Sequence, residues 1–179
     1  MLIGKSVMLR PVVEDDWELR YKWLVDPEVS ATLSSGAGMP LTPAEVKERT
    51  AKYAKRNADS AYFTVMELES SENIGSAQLF GINHWARSAE LGLWIGEKSS
   101  RGKGYGTDIV HTLLGFAFHR LNLHKIMLTV DEDNPGAMRC YEKCGFRRDG
   151  ILRDEVYKNG RYCNRLLMSI LDQEFDERS

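Results

Sequence analysis

Three glycines alternate with larger residues in segment 101–107, which reads RGKGYGT. An apolar run at 91–96 precedes this segment and a helical pattern at 108–121 follows it, so it joins a strand to the start of a helix. Glycine lets the backbone approach a ligand closely and adopt positive φ. The free N–H groups and the dipole at the start of a helix then attract an anion. The segment therefore predicts an anion-binding site, and an ordinary strand-to-helix turn is the alternative.

The glycine segment matches neither of the two commonest phosphate-binding motifs. Neither Gly102 nor Gly104 begins the Gly-x-x-x-x-Gly-Lys-Ser/Thr run of a P-loop. A dinucleotide-binding fingerprint that began at Gly104 would need its third glycine where Ile109 stands. We therefore expect an anionic ligand other than ATP or NAD.

Length, charge and hydropathy narrow the class of protein. The chain has 179 residues and a formal net charge of -2. This length suits a single domain that spans residues 1–179, and the charge argues against binding nucleic acid through a broad basic surface. No apolar run approaches the ~18 residues of a membrane span, and the first five residues lack the layout of a signal peptide. We expect a cytoplasmic protein with no nucleic-acid or membrane partner.

The three cysteines predict reduced thiols rather than a metal site. Cys140 and Cys144 are four residues apart and share one face of a predicted helix, and Cys163 stands alone. Zinc sites more often use Cys-x-x-Cys with a second ligand pair elsewhere. The four histidines form no spaced ligand cluster, so we expect no metal.

Periodicity and turn residues predict the element order β-α-α-β-β-β-α-β-α-β-β. The chain is thus an α+β protein with a mixed, mostly antiparallel twisted sheet and helices on its faces. The crossover between the strands at 89–95 and 125–130 makes these two strands parallel. The predicted strands are 7–11, 61–68, 76–82, 89–95, 125–130, 153–157 and 162–171. The predicted helices are 15–25, 42–58, 108–121 and 134–143.

Two motifs in residues 90–146 resemble the core of the GNAT superfamily of acetyl-CoA-dependent N-acetyltransferases. Residues 101–106 match the pyrophosphate loop Arg/Gln-x-x-Gly-x-Gly/Ala of that family. The pattern Asn-x-x-Ala-x-x-x-Tyr-x-x-x-Gly-Phe is met by Asn134, Ala137, Tyr141, Gly145 and Phe146. The N-terminal layout and the closing hairpin are similar to the branch that contains ribosomal-protein N-terminal acetyltransferases and spermidine and amino-sugar acetyltransferases. The resemblance implies helices on both faces of the sheet, a splayed parallel strand pair, and acetyl-CoA as co-substrate.

The resemblance also implies which residues bind the coenzyme. In the family, the loop backbone holds the pyrophosphate, and the strand before the loop pairs with the pantetheine. An N–H near Trp94 then stabilises the oxyanion, and Asn134 both caps its helix and binds the pantetheine arm. The alternatives are a core aromatic at Trp94 and a solvated surface lysine at Lys103. The full implied set is Leu93, Trp94, Gly96, Arg101, Gly102, Lys103, Gly104, Tyr105, Gly106, Thr107 and Asn134.

Acetyl transfer to an amine needs a base and an acid. The resemblance points to Glu90 as the base, because histone acetyltransferases of this superfamily keep a glutamate at the same offset before the loop. A glutamate that bacterial N-terminal acetyltransferases often carry on the next strand is replaced here by Thr129. Tyr141 occupies the position of the general acid. The alternatives are an exposed strand-end carboxylate at Glu90, a packed helix tyrosine at Tyr141, and a base at Asp131 or Glu132.

The acceptor site is poorly defined by the sequence. We expect the loops 33–43, 84–87 and 158–162 to build it around a peptide N-terminus or a small amine, such as a polyamine or an amino sugar. The nearby acidic residues Glu28, Asp154 and Glu155 are too few to favour a polyamine, and Trp23 and Trp85 either line the site or pack elsewhere. A non-catalytic coenzyme A sensor and a transferase of longer acyl groups are the other candidate functions. A homodimer is a further expectation.

Overall fold

Eight strands form one sheet in the computed structural model, which describes residues 1–30, 33, 40–158 and 160–176. Their spatial order is β1-β2-β3-β4-β5-β6-β8-β7. Only β5 and β6 pair in parallel, and the other neighbours are antiparallel, so the prediction of a mixed, mostly antiparallel sheet is confirmed. The strands are β1 (Leu2–Ile3), β2 (Val7–Pro11), β3 (Ser60–Glu67), β4 (Asn73–Asn83), β5 (Ser88–Ile95), β6 (Lys125–Asp131), β7 (Arg147–Lys158) and β8 (Arg161–Leu171).

Five α-helices connect these strands within the described residues. A capping box begins α3, where the Thr42 hydroxyl accepts from Glu45 N at 3.2 Å and the Glu45 carboxylate accepts from Thr42 N at 2.9 Å. A π turn at Phe116–Arg120 continues α4. The helices are α1 (Trp17–Leu24), α2 (Pro27–Ser30), α3 (Pro43–Tyr53), α4 (Tyr105–Gly115) and α5 (Pro135–Lys143). None of the described helices is long and apolar enough to span a membrane.

Helices cover both faces of the sheet, as predicted. Side chains alternate between the faces of a strand, and Val65 of β3 and Leu79 of β4 share one buried cluster with Leu113 of α4. Their neighbours turn the other way: Tyr62 of β3 stacks on Tyr53 of α3 with ring centroids 4.1 Å apart. Thus α4 and α5 lie on one face, and α1 and α3 lie on the other.

The parallel strands β5 and β6 part after three residue pairs. Ser88 pairs with Lys125, Ala89 with Ile126 and Glu90 with Met127. Beyond this point β5 continues along β4 to Ile95, while β6 continues along β8 to its end. The predicted splayed pair is therefore present, and its gap opens between the end of β5 and the end of β6.

Several element bounds differ from the prediction. The helix expected to reach residue 58 ends at Tyr53, and the helix expected from residue 108 begins at Tyr105. The strand expected at 153–157 belongs to β7, which is twelve residues long, mostly exposed and interrupted by two bulges. Such a strand shows no regular hydrophobic alternation. Both β1 and α2 are too short to give a periodic signal and were not predicted.

Candidate active site

The glycine loop places a row of free backbone donors at the start of α4. Gly102 and Gly104 adopt φ of 75° and 87°, the left-handed region that costs other residues about 1–2 kcal/mol. No described residue accepts a hydrogen bond from the six backbone N–H groups of residues 102–107. The Gly104 carbonyl already accepts from Asp108 N at 3.2 Å. This geometry suits the anion-binding site that the sequence predicts, and binding of an anion there stays a prediction.

The side chains of the loop attach it to the sheet. The Arg101 guanidinium donates from Nε and Nη2 to the Ile95 carbonyl, both at 3.1 Å. The Tyr105 hydroxyl donates to the Glu67 carboxylate at the end of β3. Lys103 is exposed. In this arrangement Arg101 fixes the loop to the end of β5, a contact between neighbouring segments that its position in the motif did not reveal.

Of the two further glycines of the predicted coenzyme site, only Gly96 is needed for packing. A Cβ on Gly106 would lie 3.4 Å from Cys140 Sγ, which is an ordinary van der Waals distance. A Cβ on Gly96 would overlap the ring of Trp23. The Gly96 N–H also donates to the Ile74 carbonyl at 2.9 Å, so this donor is used within the sheet. If Gly96 contacts the coenzyme, it must do so through a group other than its N–H.

The end of β5 presents alternate backbone groups to the gap. Because Gly96 N–H faces β4, and alternate residues of an antiparallel strand face the same neighbour, the backbone of Trp94 also faces β4. Leu93 and Ile95 therefore face the gap, where β6 no longer pairs with them. The predicted N–H near Trp94 thus corresponds to one of these two neighbours. The Trp94 ring packs edge-on against Trp23, with centroids 5.5 Å apart, which is its alternative role as a packed aromatic.

Tyr141 lies on α5, the helix whose Cys140 and Cys144 contact Thr107 in the first turn of α4. Its side chain is buried against Phe146, and no described residue forms a hydrogen bond with its hydroxyl. Burial raises the pKa of Tyr141 well above its ordinary value near 10. The contact of Cys140 Sγ with Thr107 Oγ1, at 3.6 Å, holds α5 against the loop. Because its pKa is raised, the Tyr141 phenol keeps its proton and can donate it to a ligand that enters beside the loop.

Asn134 begins α5, as its N-cap role predicts. Its Oδ1 accepts from Ala137 N at 3.1 Å, and its own N–H donates to the Asp131 carbonyl at 3.0 Å. The cap uses only the carbonyl half of the side-chain amide. The NH2 half has no partner among the described residues, so contact with a pantetheine arm stays a prediction.

Glu90 occupies the last paired position before β5 and β6 part. It stands opposite Phe80 on one side and Met127 on the other. Its side chain is exposed, and no described residue hydrogen-bonds or pairs with its carboxylate. Glu90 alternates with the buried residues that face α4, so its carboxylate lies on the opposite face of the sheet from Tyr141. A base on one face and an acid on the other suit a reaction in which the amine attacks from one face and the thiolate leaves on the other.

The other candidate bases are already engaged. Asp131 is buried and accepts from Lys158 Nζ at 2.8 Å and from Arg165 Nε at 3.1 Å. Glu132 accepts from the backbone and side-chain nitrogens of Asn164, at 3.1 and 3.0 Å. Glu90 is therefore the candidate whose carboxylate has no partner among the described residues.

The expected acceptor loops are only partly described. Most of loop 33–43 and position 159 lie outside the described residues. Trp23 is buried, whereas Trp85 is almost fully exposed. Glu28 is paired with Lys98 at 2.9 Å, and Asp154 and Glu155 lie exposed on β7. The described part of the chain contains no cluster of three or more His, Cys, Asp or Glu side chains with the geometry for a metal ion.

One anchor of the site was missed by the sequence analysis. The Asp108 carboxylate, in the first turn of α4, accepts backbone hydrogen bonds from Lys5, Ser6 and Val7 at 2.9, 2.6 and 3.0 Å. This contact ties the start of the helix to the turn before β2. The two segments are about a hundred residues apart in sequence, so nothing in the local pattern could have revealed the contact.

The chain is similar to known proteins over most of its length. Residues 6–147 match the family model described as Acetyltransferase (GNAT) domain. The spermidine N(1)-acetyltransferase of Vibrio cholerae is 37% identical over 135 residues, which cover 75% of this chain and 76% of that protein. A crystal structure of the Vibrio cholerae spermidine N-acetyltransferase with CoA and spermine superimposes with a TM-score of 0.86 at 30% identity, covering 96% of this chain and 98% of that one. A dodecameric structure of the same enzyme has a TM-score of 0.81 at 31% identity, covering 98% and 99%.

Proposed function

Because this chain belongs to the GNAT family of acetyltransferases, we propose that it transfers the acetyl group of acetyl-CoA to a primary amine by direct attack. The observation that carries this proposal is the row of free N–H groups at residues 102–107, beside the buried phenol of Tyr141. The loop follows the end of β5 and α5 follows the end of β6, the two strand ends that border the gap. A polyamine is the first acceptor class to test.

Binding of acetyl-CoA is supported by the chemistry of the donors. A pyrophosphate needs several hydrogen-bond donors and positive potential, and the backbone amides with the α4 dipole supply both. The pantetheine arm would lie along the open side of β5, where the backbone of Leu93 has no strand partner. The thioester carbonyl would then receive a hydrogen bond from Leu93 or Ile95, which stabilises the tetrahedral oxyanion.

Proton transfer would use the two faces of the gap. An alkyl ammonium has a pKa near 10, so Glu90, directly or through water, would accept its proton before attack. When the tetrahedral intermediate collapses, Tyr141 would donate its proton to the leaving thiolate. Because a free thiol has a pKa near 8.5, its thiolate is already a fair leaving group, and a weak acid is sufficient to assist its departure.

The polyamine acceptor is supported by the relatives named above, which are spermidine acetyltransferases, and by the unpaired Glu90 carboxylate. A peptide N-terminus and an amino sugar are the alternative acceptors from the sequence analysis. The test is thiol release from acetyl-CoA with spermidine, spermine, N-terminal peptides, amino sugars and amino acids, with each product identified by mass. We expect polyamines to exceed the other amines by at least about tenfold in kcat/KM.

The same assay separates the alternative functions. Binding of acetyl-CoA without thiol release from any amine would contradict enzymatic function and favour a coenzyme sensor. Comparison of acetyl-, succinyl- and longer acyl-CoA by thermal shift tests the acyl group, because preferential binding stabilises the folded state. A larger shift with a longer acyl group would contradict acetyl transfer.

Assembly and location are further parts of the proposal. The dodecameric relative supports a homo-oligomer, for which light scattering of the purified chain is the test; a monomer would contradict it. A dimer in particular, a cytoplasmic location and a single domain over residues 1–179 stay predictions.

A further inference from the structure

Two cysteines that the proposed reaction does not use lie where α5 meets α4. Cys140 is half-buried, and its Sγ lies 3.6 Å from Thr107 Oγ1. A Cβ on Gly106 would be 3.4 Å from the same sulfur. Cys144 is buried one turn further along, with its Sγ 3.7 Å from the Thr107 carbonyl. The thiol pair therefore lies directly against the first turn of α4, below the free amides of the glycine loop.

The surroundings of Cys140 stabilise its thiolate. A hydrogen bond from the Cys144 thiol lowers the pKa of Cys140; burial opposes this effect, while Thr107 and Lys143 reinforce it. The same contact raises the pKa of Cys144. The positive end of α4 acts in the same direction, because helix N-termini favour thiolates. Cys140 is thus the thiol of the pair that ionises more readily, while the Cys144 thiol also donates to the Thr107 carbonyl at 3.7 Å.

Exposure separates Cys140 from the other two thiols. Cys144 and Cys163 are 5% and 2% exposed, whereas Cys140 is half-buried. Reactive cysteines occupy electropositive, partly exposed sites, and buried cysteines are inert. Cys163 lies on β8 and contacts the Asn164 carbonyl at 3.4 Å, so it serves as an internal control.

We propose that Cys140 is a modification site for small-molecule disulfides and that a group attached there blocks binding of the coenzyme to the loop at 102–107. The Cys140 thiol loses its proton to solvent, and its sulfur attacks one sulfur of the disulfide. The Cys140–sulfur bond forms as the disulfide bond of the reagent breaks, and the departing thiolate takes a proton from water. Cys140 is oxidised to a mixed disulfide, and the reagent is the oxidant. Another thiol reverses the reaction by the same exchange.

The effect on the loop follows from the position of Cys140. Its Sγ contacts Thr107 Oγ1 at 3.6 Å, in the first turn of α4, so an attached group has to lie beside this turn and next to the amides of the loop. There it would compete with an anion for the amides of residues 102–107. This consequence rests on the proposed function, whereas the modification itself does not.

The test is the rate of mixed-disulfide formation on the folded protein, with peptide mapping of the adduct. Glutathione disulfide and coenzyme A disulfide are compared as reagents on the wild type, Cys140→Ser and the control Cys163→Ser. We expect the adduct on Cys140, loss of the fast reaction in Cys140→Ser, and an unchanged rate in Cys163→Ser. Acetyl-CoA, which has no free thiol, should slow the reaction by about tenfold or more. A faster reaction with coenzyme A disulfide would identify the nucleotide-bearing disulfide as the source, and equal rates would identify small disulfides in general.

Cys144→Ala tests the role of the second cysteine. The rate at Cys140 should then depend on pH with a midpoint closer to the ~8.5 of a free thiol than in the wild type. An unchanged midpoint would remove Cys144 from the site. Circular dichroism checks that each variant is folded.

Three results separate the parts of the proposal. Reaction at Cys140 no faster than at buried Cys163 would overturn the modification site. An adduct on Cys140 that leaves acetyl-CoA binding unchanged would overturn the claim that the attached group blocks the loop. Adduct formation without acetyl transfer by the reduced protein would count against the proposed function alone.

Discussion

Tyr141 is buried, whereas Glu90 is exposed. Burial of Tyr141 raises its pKa, so the phenol stays neutral at physiological pH. Glu90 is exposed and has no partner among the described residues, so its carboxylate remains available as an acceptor. One residue is therefore suited to donate a proton and the other to receive one, and each role can be tested separately.

Replacing Tyr141 with Phe removes the proposed acid and keeps the ring that packs on Phe146. We expect kcat to fall by about ten- to a thousand-fold, the range supplied by general-acid catalysis. The KM for acetyl-CoA should change little, and steady-state kinetics at saturating amine measures both. Because the folded pKa is raised, the wild type should show no loss of activity from tyrosine ionisation below about pH 10. An unchanged kcat would remove Tyr141 from the mechanism.

Replacing Glu90 with Gln removes the proposed base with little change in size. We expect kcat/KM for the amine to fall by about a hundred-fold or more at neutral pH, and to recover partly as rising pH deprotonates the amine. Glu132→Gln is the matched control, since Glu132 binds Asn164 and should not contribute to catalysis. A larger loss in Glu132→Gln than in Glu90→Gln would reverse the assignment.

Among the elements, the junction between β5 and α4 carries the coenzyme proposal. Its glycines differ in conformation and surroundings: Gly102 and Gly104 adopt positive φ, whereas Gly106 lies within α4 and faces Cys140 Sγ of α5. Arg101 fixes the junction to the end of β5, and Tyr105 fixes it to Glu67 of β3. The loop is thus held at both ends, while no described residue accepts a hydrogen bond from its amides.

The backbone conformation of the loop is tested by Gly104→Ala. At a φ of 87°, alanine should cost about 1–2 kcal/mol of stability and displace the free amides, raising the KM for acetyl-CoA. Gly115→Ala is the matched control, because Gly115 has helical φ of -57° and open space around it. That change should stabilise the protein by about 0.5–1 kcal/mol and leave KM unchanged. Thermal unfolding and steady-state kinetics measure these effects.

Lys103→Ala addresses the side-chain alternative for the same loop. If the backbone holds the coenzyme, this change at an exposed lysine should raise KM less than Gly104→Ala does. The reverse order would show that charge, rather than the amide row, holds the ligand.

The elements around the gap were the most predictable from sequence. The glycine segment, the strands on either side of it and the Asn134 cap each have a local signal: turn chemistry, apolar periodicity or a capping side chain. The long edge strand β7 was shortened in the prediction because its exposed residues carry no alternation. The hydrogen bond from the Arg101 side chain to the Ile95 carbonyl depends on three-dimensional contact. The direction in which the Trp94 backbone faces depends on pairing with β4. No local pattern encodes either one.

At the scale of the whole molecule, Asp16 connects the N-terminal helices to the sheet. Its buried carboxylate accepts from Arg10 of β2 at 2.9 Å, from Thr64 of β3 at 2.7 Å and from Val13 N at 3.0 Å. Burial alone would raise the pKa of Asp16, but hydrogen bonds from Arg10, Thr64 and Val13 outweigh it, so the folded pKa lies below its usual range. The ionised form is therefore the one that stabilises the fold.

Asp16→Asn should lower the free energy of unfolding by about 2–3 kcal/mol at neutral pH, because it leaves Arg10 without its charged partner. A lowered folded pKa gives stability that is complete above the unfolded pKa, near 3.9, and that is lost as the pH falls through the folded value. The difference between wild type and variant should therefore shrink in acid. Urea unfolding across this pH range measures it, with exposed Asp15→Asn as the control. A difference independent of pH would contradict a role for the ionised carboxylate.

A crystal structure of the protein with bound coenzyme A tests the central claim most directly. The account predicts pyrophosphate oxygens within hydrogen-bond distance, about 2.7–3.2 Å, of several amides in residues 102–107. It also predicts the coenzyme sulfur beside the Tyr141 hydroxyl, in the gap between β5 and β6. A nucleotide bound elsewhere, or a phenol distant from the sulfur, would contradict the account.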